Sequence, residues 1–185
     1  MRPVSPRDSD LERKVLAAQE PSAAPGPPPL QPFGLILHHD GRWSHEGQPI
    51  LNRKLRERFD RSVVYLPEEA KYVVRIGRFR GQIELEEAGF FVRSVDLASG
   101  EMVLSDGSRE PLRAETLSLS ALDGAWLCRV KEALVPGGLP ARFSHSSQAE
   151  LLSAAEEDGE GFRLVLGSGR VPVPDALAGS AWGDD

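Results

Sequence analysis

The stretch VVYLPEEAKYVVRIGRFRGQIELEEAGFFVRSVDLASGEMVLSDGSREPLRAETLSL, from Val63 to Leu119, decides the fold class of this chain. β-Branched and aromatic residues dominate it, and turn signals interrupt it at Pro67-Glu68-Glu69, Glu87-Ala88-Gly89, Ser99-Gly100 and Asp106-Gly107. In QIELE (residues 82–86) apolar and acidic residues alternate, as in a strand with one buried face. The stretch therefore predicts a meander of antiparallel strands. Gly77 and Gly81 predict bulges in a long bent strand, or a turn at Gly81-Gln82.

Two short helices are predicted outside this meander. Leu51, Leu55 and Phe59 recur at helical spacing in LNRKLRERFDRSV (residues 51–63), which gives that helix one apolar face. Its other face carries the basic residues Arg53, Lys54, Arg56, Arg58 and Arg61. Ser147 followed by Glu150 has the spacing of a capping box, and it predicts that a second helix opens at QAELLSAAEE (residues 148–157) and ends at Asp158-Gly159.

The remaining elements are predicted strands. FGLILHH (residues 33–39) and RWSH (residues 42–45) flank the turn signal Asp40-Gly41. In AWLCRVKEAL (residues 125–134) the apolar residues alternate, which favours a strand, and GFRLVLGSGRVPVP (residues 161–174) predicts a closing hairpin. The fold class is thus α+β, an antiparallel meander sheet with two short helices. A weak echo between DGRWSHEGQPI (residues 40–50) and DGEGFRLVLGSGRVPV (residues 158–173) is compatible with two similar structural motifs.

The chain is predicted to have three parts. Residues 1–32 are a disordered Pro-rich tether, because residues 21–32 hold six of the fifteen prolines, and a short helix precedes that run. Residues 33–175 form the α+β domain, with subdomains at about 33–66 plus the meander 67–120, and at 121–175. Residues 176–185 are a frayed tail.

Composition narrows the class of protein. The 185 residues carry a net charge of −6, which argues against nucleic acid as the main partner. No apolar run approaches the roughly 20 residues that span a bilayer, and the start lacks an apolar secretory core. One cysteine, Cys128, excludes an internal disulfide, and its default role is that of a buried structural thiol. We expect a cytoplasmic protein that binds neither nucleic acid nor membrane.

These elements, in this order, resemble a known family. Four elements match motifs of the bacterial domain-of-unknown-function family 1285. They are the turn with Asp40, Gly41 and Trp43, the step with Gly47, Pro49 and Ile50, the helix positions Leu55 and Phe59, and LEEAGFFV (residues 85–92). The resemblance covers about residues 35–173. It implies an α+β fold built from two similar structural motifs, no established activity, and a role in signal transduction. The chain departs from the family by lacking its usual Pro-Val-Glu-Lys segment, having YVVRIGRFRG (residues 72–81) instead, and by carrying the Pro-rich tether.

Three of the four histidines lie between residues 38 and 45, which makes a metal site one candidate. On a strand, His38 and His39 would point to opposite faces, which disfavours a shared ion. His39 and His45 could instead converge across the hairpin with Glu46, because zinc takes three or four such ligands. The spacing matches no recognised metal pattern, so we expect no metal and no cofactor. The competing interpretation is a polar hairpin that Trp43 anchors to the core.

Carboxylates offer a second candidate site. Glu84 and Glu86 lie two residues apart on a strand, a separation of about 7 Å that suits paired-carboxylate chemistry. Glu86 and Glu87 also lie at a turn, where carboxylates accept backbone amides, and that structural role is the favoured one.

These observations favour a non-enzymatic binding or regulatory module with a protein partner, for which residues 9–32 are a candidate contact. Its expected contact surface is formed by Trp43, Arg53, Arg56, Glu86, Glu87 and Phe90. The alternative is a small metal- or carboxylate-dependent hydrolase that uses the region from His38 to Glu46. A third interpretation is a structural subunit that the N-terminal helix docks on a larger assembly.

Overall fold

The computed structural model describes residues 10–13, 30–158, 161–167 and 169–173. The chain forms two compact units, one up to Gly89 and one from Phe90 onward. The predicted division near residue 120 lies inside the second of these units. None of the helices within the described ranges has the length and apolar character needed to cross a membrane.

The first unit contains one six-stranded sheet. Its strands are β1 (Gln31–Leu37), β2 (Trp43–His45), β3 (Gln48–Pro49), β4 (Val63–Leu66), β5 (Lys71–Ile76) and β6 (Phe79–Leu85). The spatial order is β3-β2-β1-β6-β5-β4. Neighbours are antiparallel except the central pair, because β1 runs parallel to β6. Each half of the sheet is thus a three-stranded meander, and the first and last strands join the halves.

The second unit repeats this arrangement. Its strands are β7 (Phe90–Asp96), β8 (Glu101–Leu104), β9 (Arg109–Pro111), β10 (Ser118–Leu119), β11 (Trp126–Val130) and β12 (Leu139–Phe143). Their order is β10-β11-β12-β7-β8-β9, again with a parallel central pair formed by β7 and β12. A separate three-stranded sheet follows, made of β13 (Ala155–Asp158), β14 (Gly161–Leu166) and β15 (Gly169–Pro172). The closing hairpin and the strand at Trp126 are confirmed.

The two sheets have the same topology, so the predicted α+β class and the pair of similar motifs are confirmed. The echo that suggested them is wrong in detail. The similar motifs are residues 31–85 and 90–143, whereas the later half of the echo forms the third sheet. The connection between the third and fourth strands of each motif holds helix α2 (Arg53–Asp60) in the first unit and a 3₁₀ turn (Ala114–Thr116) in the second.

Helix α2 begins where its sequence allows backbone amides to be capped. The Asn52 side chain accepts a hydrogen bond from the amide of Leu55 at 3.2 Å, so the helix starts after Asn52. Leu55 and Phe59 are buried as predicted, but Leu51 precedes the helix and is exposed. The Phe59 ring packs 5.3 Å from Trp43, whose indole N–H donates to Asp60 at 2.8 Å. The prediction that Trp43 anchors its hairpin to the core is confirmed.

Helix α3 (His145–Leu152) differs from its prediction at both ends. Its cap is Ser144, which accepts from the amide of Ser147, and the helix ends at Leu152 before β13 begins. Ser147 lies inside the helix, fully buried, and its hydroxyl donates to the carbonyl of Val92 at 2.8 Å. The capping-box interpretation was therefore wrong by one turn, because several serines in succession offer the same local signal.

The turn predicted near Gly81 lies earlier. β5 and β6 form a hairpin through Gly77, which has φ of +58° and so takes a conformation that favours glycine. Gly81 is a regular position of β6, so neither a bulge nor a turn occurs there. The irregularity of this sheet falls instead between Pro32 and Leu35, where the register of β1 against β6 shifts.

The core of the second unit surrounds Cys128. Its sulfur lies 3.9 Å from that of Met102, and both residues are buried with Phe90, Trp126 and Phe143. Burial raises the pKa of the Cys128 thiol to about 12. The predicted buried structural thiol is confirmed, because a thiol that stays protonated is a poor nucleophile.

The N-terminal part is described only at residues 10–13, which are helical (α1), and from Leu30 onward. Leu11 is buried, and the Asn52 side chain donates to Glu12 at 3.3 Å. Gln31 and Pro32, assigned to the tether by sequence, are the first residues of β1. The rest of the predicted tether and the predicted tail lie outside the described residues.

Candidate functional site

The two central strands of the first sheet end side by side. Leu37, the last residue of β1, pairs with Leu85, the last residue of β6. The amide of Glu86 donates to the carbonyl of Leu37 at 3.1 Å, which continues the pairing by one step. Because β1 and β6 are parallel, the residues that follow them, His38-His39 and Glu86, meet at the same edge of the sheet.

Glu86 is held by both histidines. One carboxylate oxygen contacts Nδ1 of His38, and the other accepts from the amide of His39 at 2.9 Å and contacts Nδ1 of His39 at 2.7 Å. The amide of His39, then the His38 and His39 side chains, lower the pKa of Glu86 to about 2. The favoured prediction of a carboxylate that accepts a backbone amide is confirmed for Glu86, although the amide belongs to His39, 47 residues earlier, and not to the turn that contains Glu86. We call His38, His39 and Glu86 the imidazole–carboxylate cluster.

The imidazole of His38 also reaches β2. Its Nε2 lies 2.9 Å from Oγ of Ser44, a buried residue of that strand. The loop that carries the ring is closed by two backbone hydrogen bonds, from the His38 amide to Arg42 and from the Gly41 amide to His38, each 2.9 Å. The ring is therefore fixed on both nitrogens and through its backbone.

The predicted separation of His38 and His39 is wrong. β1 ends at Leu37, so both histidines lie in the following turn, where the alternation of side chains along a strand does not apply. Both rings turn toward Glu86.

The alternative metal set of His39, His45 and Glu46 does not come together. His45 pairs with Leu35 within the hairpin, its ring 5.4 Å from that of Phe33, and the Glu46 amide donates to Gly34 at 2.9 Å. Among the described residues, His, Cys, Asp and Glu form no group of three or more able to hold a metal ion.

The residues of the expected contact surface occupy different environments. Trp43 and Phe90 are each only 1% exposed, so these two aromatics belong to the cores of their units and offer no surface to a partner. Glu86 belongs to the imidazole–carboxylate cluster, and Glu87 beside it is half-buried. Arg53 is exposed and Arg56 is half-buried, both on α2. Aromatic residues at turns suggested contact from sequence alone, but the same residue types anchor turns to a core.

The residues Arg53, Lys54, Arg56, Arg58 and Arg61 form what we call the basic face of α2. Arg53, Lys54 and Arg61 are exposed, and Arg56 and Arg58 are half-buried. Arg53 pairs with Glu57 one turn later at 2.6 Å, which holds the pKa of Glu57 below its ordinary value. The buried Leu55 and Phe59 fix the orientation of the helix, so the basic side chains have to point away from the core.

Sequence reasoning missed an ionic cluster in the second unit. Nζ of Lys131 lies 2.8 Å from Asp106, 3.2 Å from Glu110 and 2.5 Å from the hydroxyl of Ser108. It also lies 5.2 Å from the centroid of the Phe90 ring. Burial alone would raise the pKa of Asp106, but hydrogen bonds from Lys131 and Ser108 outweigh it and lower that pKa. Lys131 lies more than 20 residues from Asp106, Ser108 and Glu110, and among these four residues only Asp106 was marked in sequence, by the turn signal at Asp106-Gly107.

The duplicated six-stranded sheet defines the class of this protein as an α+β protein with two similar motifs. No protein-family model matches the sequence, and no curated protein matches it. Among solved structures, a DUF1285 family protein from Silicibacter pomeroyi DSS-3 is similar, with a TM-score of 0.58, 19% identity, and coverage of 88% of this chain and 93% of that chain. A DUF1285 family protein from Shewanella baltica OS155 aligns with a TM-score of 0.45 and 13% identity over 65% of this chain and 91% of that chain.

The chain therefore has a DUF1285-like fold, as its sequence motifs predicted.

Proposed function

We propose that this chain is a binding or regulatory module whose first unit contacts an acidic protein partner through the basic face of α2. One observation carries the proposal: five basic residues occur from Arg53 to Arg61, on α2 and its C-terminal cap, and the apolar face of that helix is already buried. The buried residues of the helix are Leu55 and Phe59, so packing of its apolar face does not require the basic side chains. A role in signal transduction, which the family resemblance implies, is part of the same proposal.

The distribution of charge supports an acidic partner. Ten basic and nine acidic residues lie between Gln31 and Gly89, against eight basic and fifteen acidic residues from Phe90 to Asp185. Half of the ten basic residues of the first segment belong to the basic face. Since salt screens charges beyond about 8–10 Å, a partner responds to this local concentration rather than to the net charge of the chain.

The internal ion pair on the face does not block binding. The Arg53 side chain is 83% exposed, and pairs between such exposed side chains contribute little to stability. Arg53 is therefore able to exchange Glu57 for a carboxylate of a partner. Lys54 and Arg61 are exposed as well and add positive charge at the same face.

The test is capture of proteins from the native cell by the full chain and by a charge-reversed variant. Arg53→Glu combined with Lys54→Glu inverts the exposed start of the face without touching a buried residue. Lys71→Glu, at an exposed position of β5 in the same unit, is the matched control.

We expect an acidic protein that is retained by the wild type and by Lys71→Glu, is lost with the double variant, and is released as salt is raised. Equal retention by both variants would show that the basic face is an ordinary solvated surface.

A further inference from the structure

The imidazole–carboxylate cluster and Ser44 form one continuous chain of hydrogen bonds. Glu86 contacts Nδ1 of His38, and Nε2 of the same ring lies 2.9 Å from Oγ of Ser44. The order of carboxylate, imidazole and hydroxyl is the one by which proteins activate a serine nucleophile. Here the carboxylate of Glu86 directly follows β6, the imidazole of His38 lies in the turn after β1, and the hydroxyl of Ser44 is on β2.

The direction of each hydrogen bond follows from the charge of Glu86. An ionised carboxylate only accepts hydrogen bonds, so Nδ1 of His38 has to carry the proton in that contact. In a neutral imidazole the other nitrogen is then an acceptor. In that neutral form Nε2 receives its hydrogen bond from the hydroxyl of Ser44, which is the arrangement that a general base requires.

This series of hydrogen bonds is also held in place before any substrate arrives. The second oxygen of Glu86 is fixed by the amide and the ring of His39, at 2.9 and 2.7 Å. Ser44 lies on a strand that is paired on both sides, with β1 and with β3. A site whose groups are already oriented loses less entropy when the reaction begins.

We propose that Ser44 is a nucleophile that reacts with small carboxylic esters, with His38 as its general base and Glu86 as a positioning residue. Ser44 is 7% exposed, which restricts the proposed substrates to esters with a narrow acyl group. This activity goes beyond partner binding and uses none of the residues of the basic face.

The reaction balances without a co-reactant other than water. Oγ of Ser44 forms a bond to the carbonyl carbon of the ester while its proton passes to Nε2 of His38. The bond from that carbon to the leaving oxygen breaks, and the alcohol departs with the proton from His38. Water then attacks the acyl-serine through the same base, which releases the carboxylic acid and restores Ser44.

A fluorophosphonate probe tests the nucleophile directly on the full chain. Its phosphorus forms a bond to Oγ of Ser44, fluoride leaves, and the proton of the hydroxyl passes to His38. Intact mass and peptide mapping should show one adduct, located on Ser44, and none in Ser44→Ala. His38→Ala should label at least about 100-fold more slowly, the lower end of what a general base contributes. His145→Ala, at an exposed histidine of the second unit, should label at the wild-type rate.

A positioning role of Glu86 is tested by the pH dependence of the labelling rate, which a purely structural role would leave unchanged. Glu86→Gln retains size and polarity, but its amide group is able to donate to Nδ1 and so favours the wrong tautomer. The rate of labelling should fall at least about tenfold, with a changed pH dependence, while circular dichroism shows a folded chain.

Turnover of p-nitrophenyl acetate gives a second, independent measurement, and Ser44→Ala should lower its rate in parallel with labelling. Absence of an adduct on Ser44 in the folded wild type overturns the proposal. Equal labelling of the wild type and His38→Ala overturns it as well, as does ester turnover that is unchanged in folded Ser44→Ala.

Discussion

Replacement of Glu86 by glutamine should remove a contribution to stability that exists only within a defined range of pH. The folded protein lowers the pKa of this carboxyl from 4.5 to about 2. A group whose pKa is lowered by folding stabilises the protein above its unfolded pKa, and this contribution is lost as pH falls toward the folded pKa. The window is therefore about pH 4.5 down to pH 2.

The size of the effect follows from the shift and from the exposure of the side chain. Taken alone, the shift corresponds to about 3 kcal/mol, at about 1.4 kcal/mol per pKa unit. The Glu86 side chain is 38% exposed, so solvent screening reduces this value, and we expect about 1 kcal/mol.

The measurement is the free energy of unfolding in urea, for the wild type and Glu86→Gln, at several values of pH between 7 and 2. The wild type should be more stable by about 1 kcal/mol near neutral pH, and the difference should shrink through the window because glutamine does not titrate. Glu84→Gln, an exposed position of the same strand, is the matched control and should change the free energy of unfolding near neutral pH by less than about 0.5 kcal/mol. A constant difference between the wild type and Glu86→Gln would refute the assignment of the pKa shift to the imidazole–carboxylate cluster.

Three further changes test the packing of the two units. Phe59→Ala should lower the free energy of unfolding by about 3–5 kcal/mol because it leaves a cavity at a fully buried position, as measured by chemical denaturation; a loss below about 1 kcal/mol would contradict that burial. Asn52→Ala should cost about 1 kcal/mol because the amide of Leu55 loses its cap, and a neutral result in the same assay would argue against that hydrogen bond. Lys131→Met should cost about 2 kcal/mol near pH 7, since it leaves Asp106 without its cation, and the loss should diminish in acid as that carboxyl is protonated; a loss independent of pH would assign it to packing alone.

Local signals in the sequence were sufficient for most elements. Period-two patterns located the strands around Val63 to Leu119, and helical spacing located Leu55 and Phe59 on a buried face. These patterns are informative because they identify the buried face of a helix or strand. That face is determined by residues close together in the chain.

Long-range pairings could not be predicted in the same way. The contact between β1 and β6 joins residues about 50 positions apart, and nothing in either strand specifies a parallel partner. The imidazole–carboxylate cluster depends on that pairing, so the sequence did not relate Glu86 to the adjacent His38 and His39. The prediction that Ser147 caps α3 was wrong for a different reason. Ser144, three residues earlier, has the same capping chemistry, and it is the residue that caps the helix.

The order of the strands also bears on how the chain is made. In each motif the first strand pairs at the centre of the sheet with the last strand. During synthesis, β1 therefore cannot complete its pairing before residue 85 has left the ribosome, and β7 cannot do so before residue 143. During that interval the unpaired edge of the first strand presents backbone N–H and C=O groups that the last strand later pairs. Contacts this distant in sequence fold slowly, and each motif should reach its native state in a late, all-or-none closure rather than strand by strand.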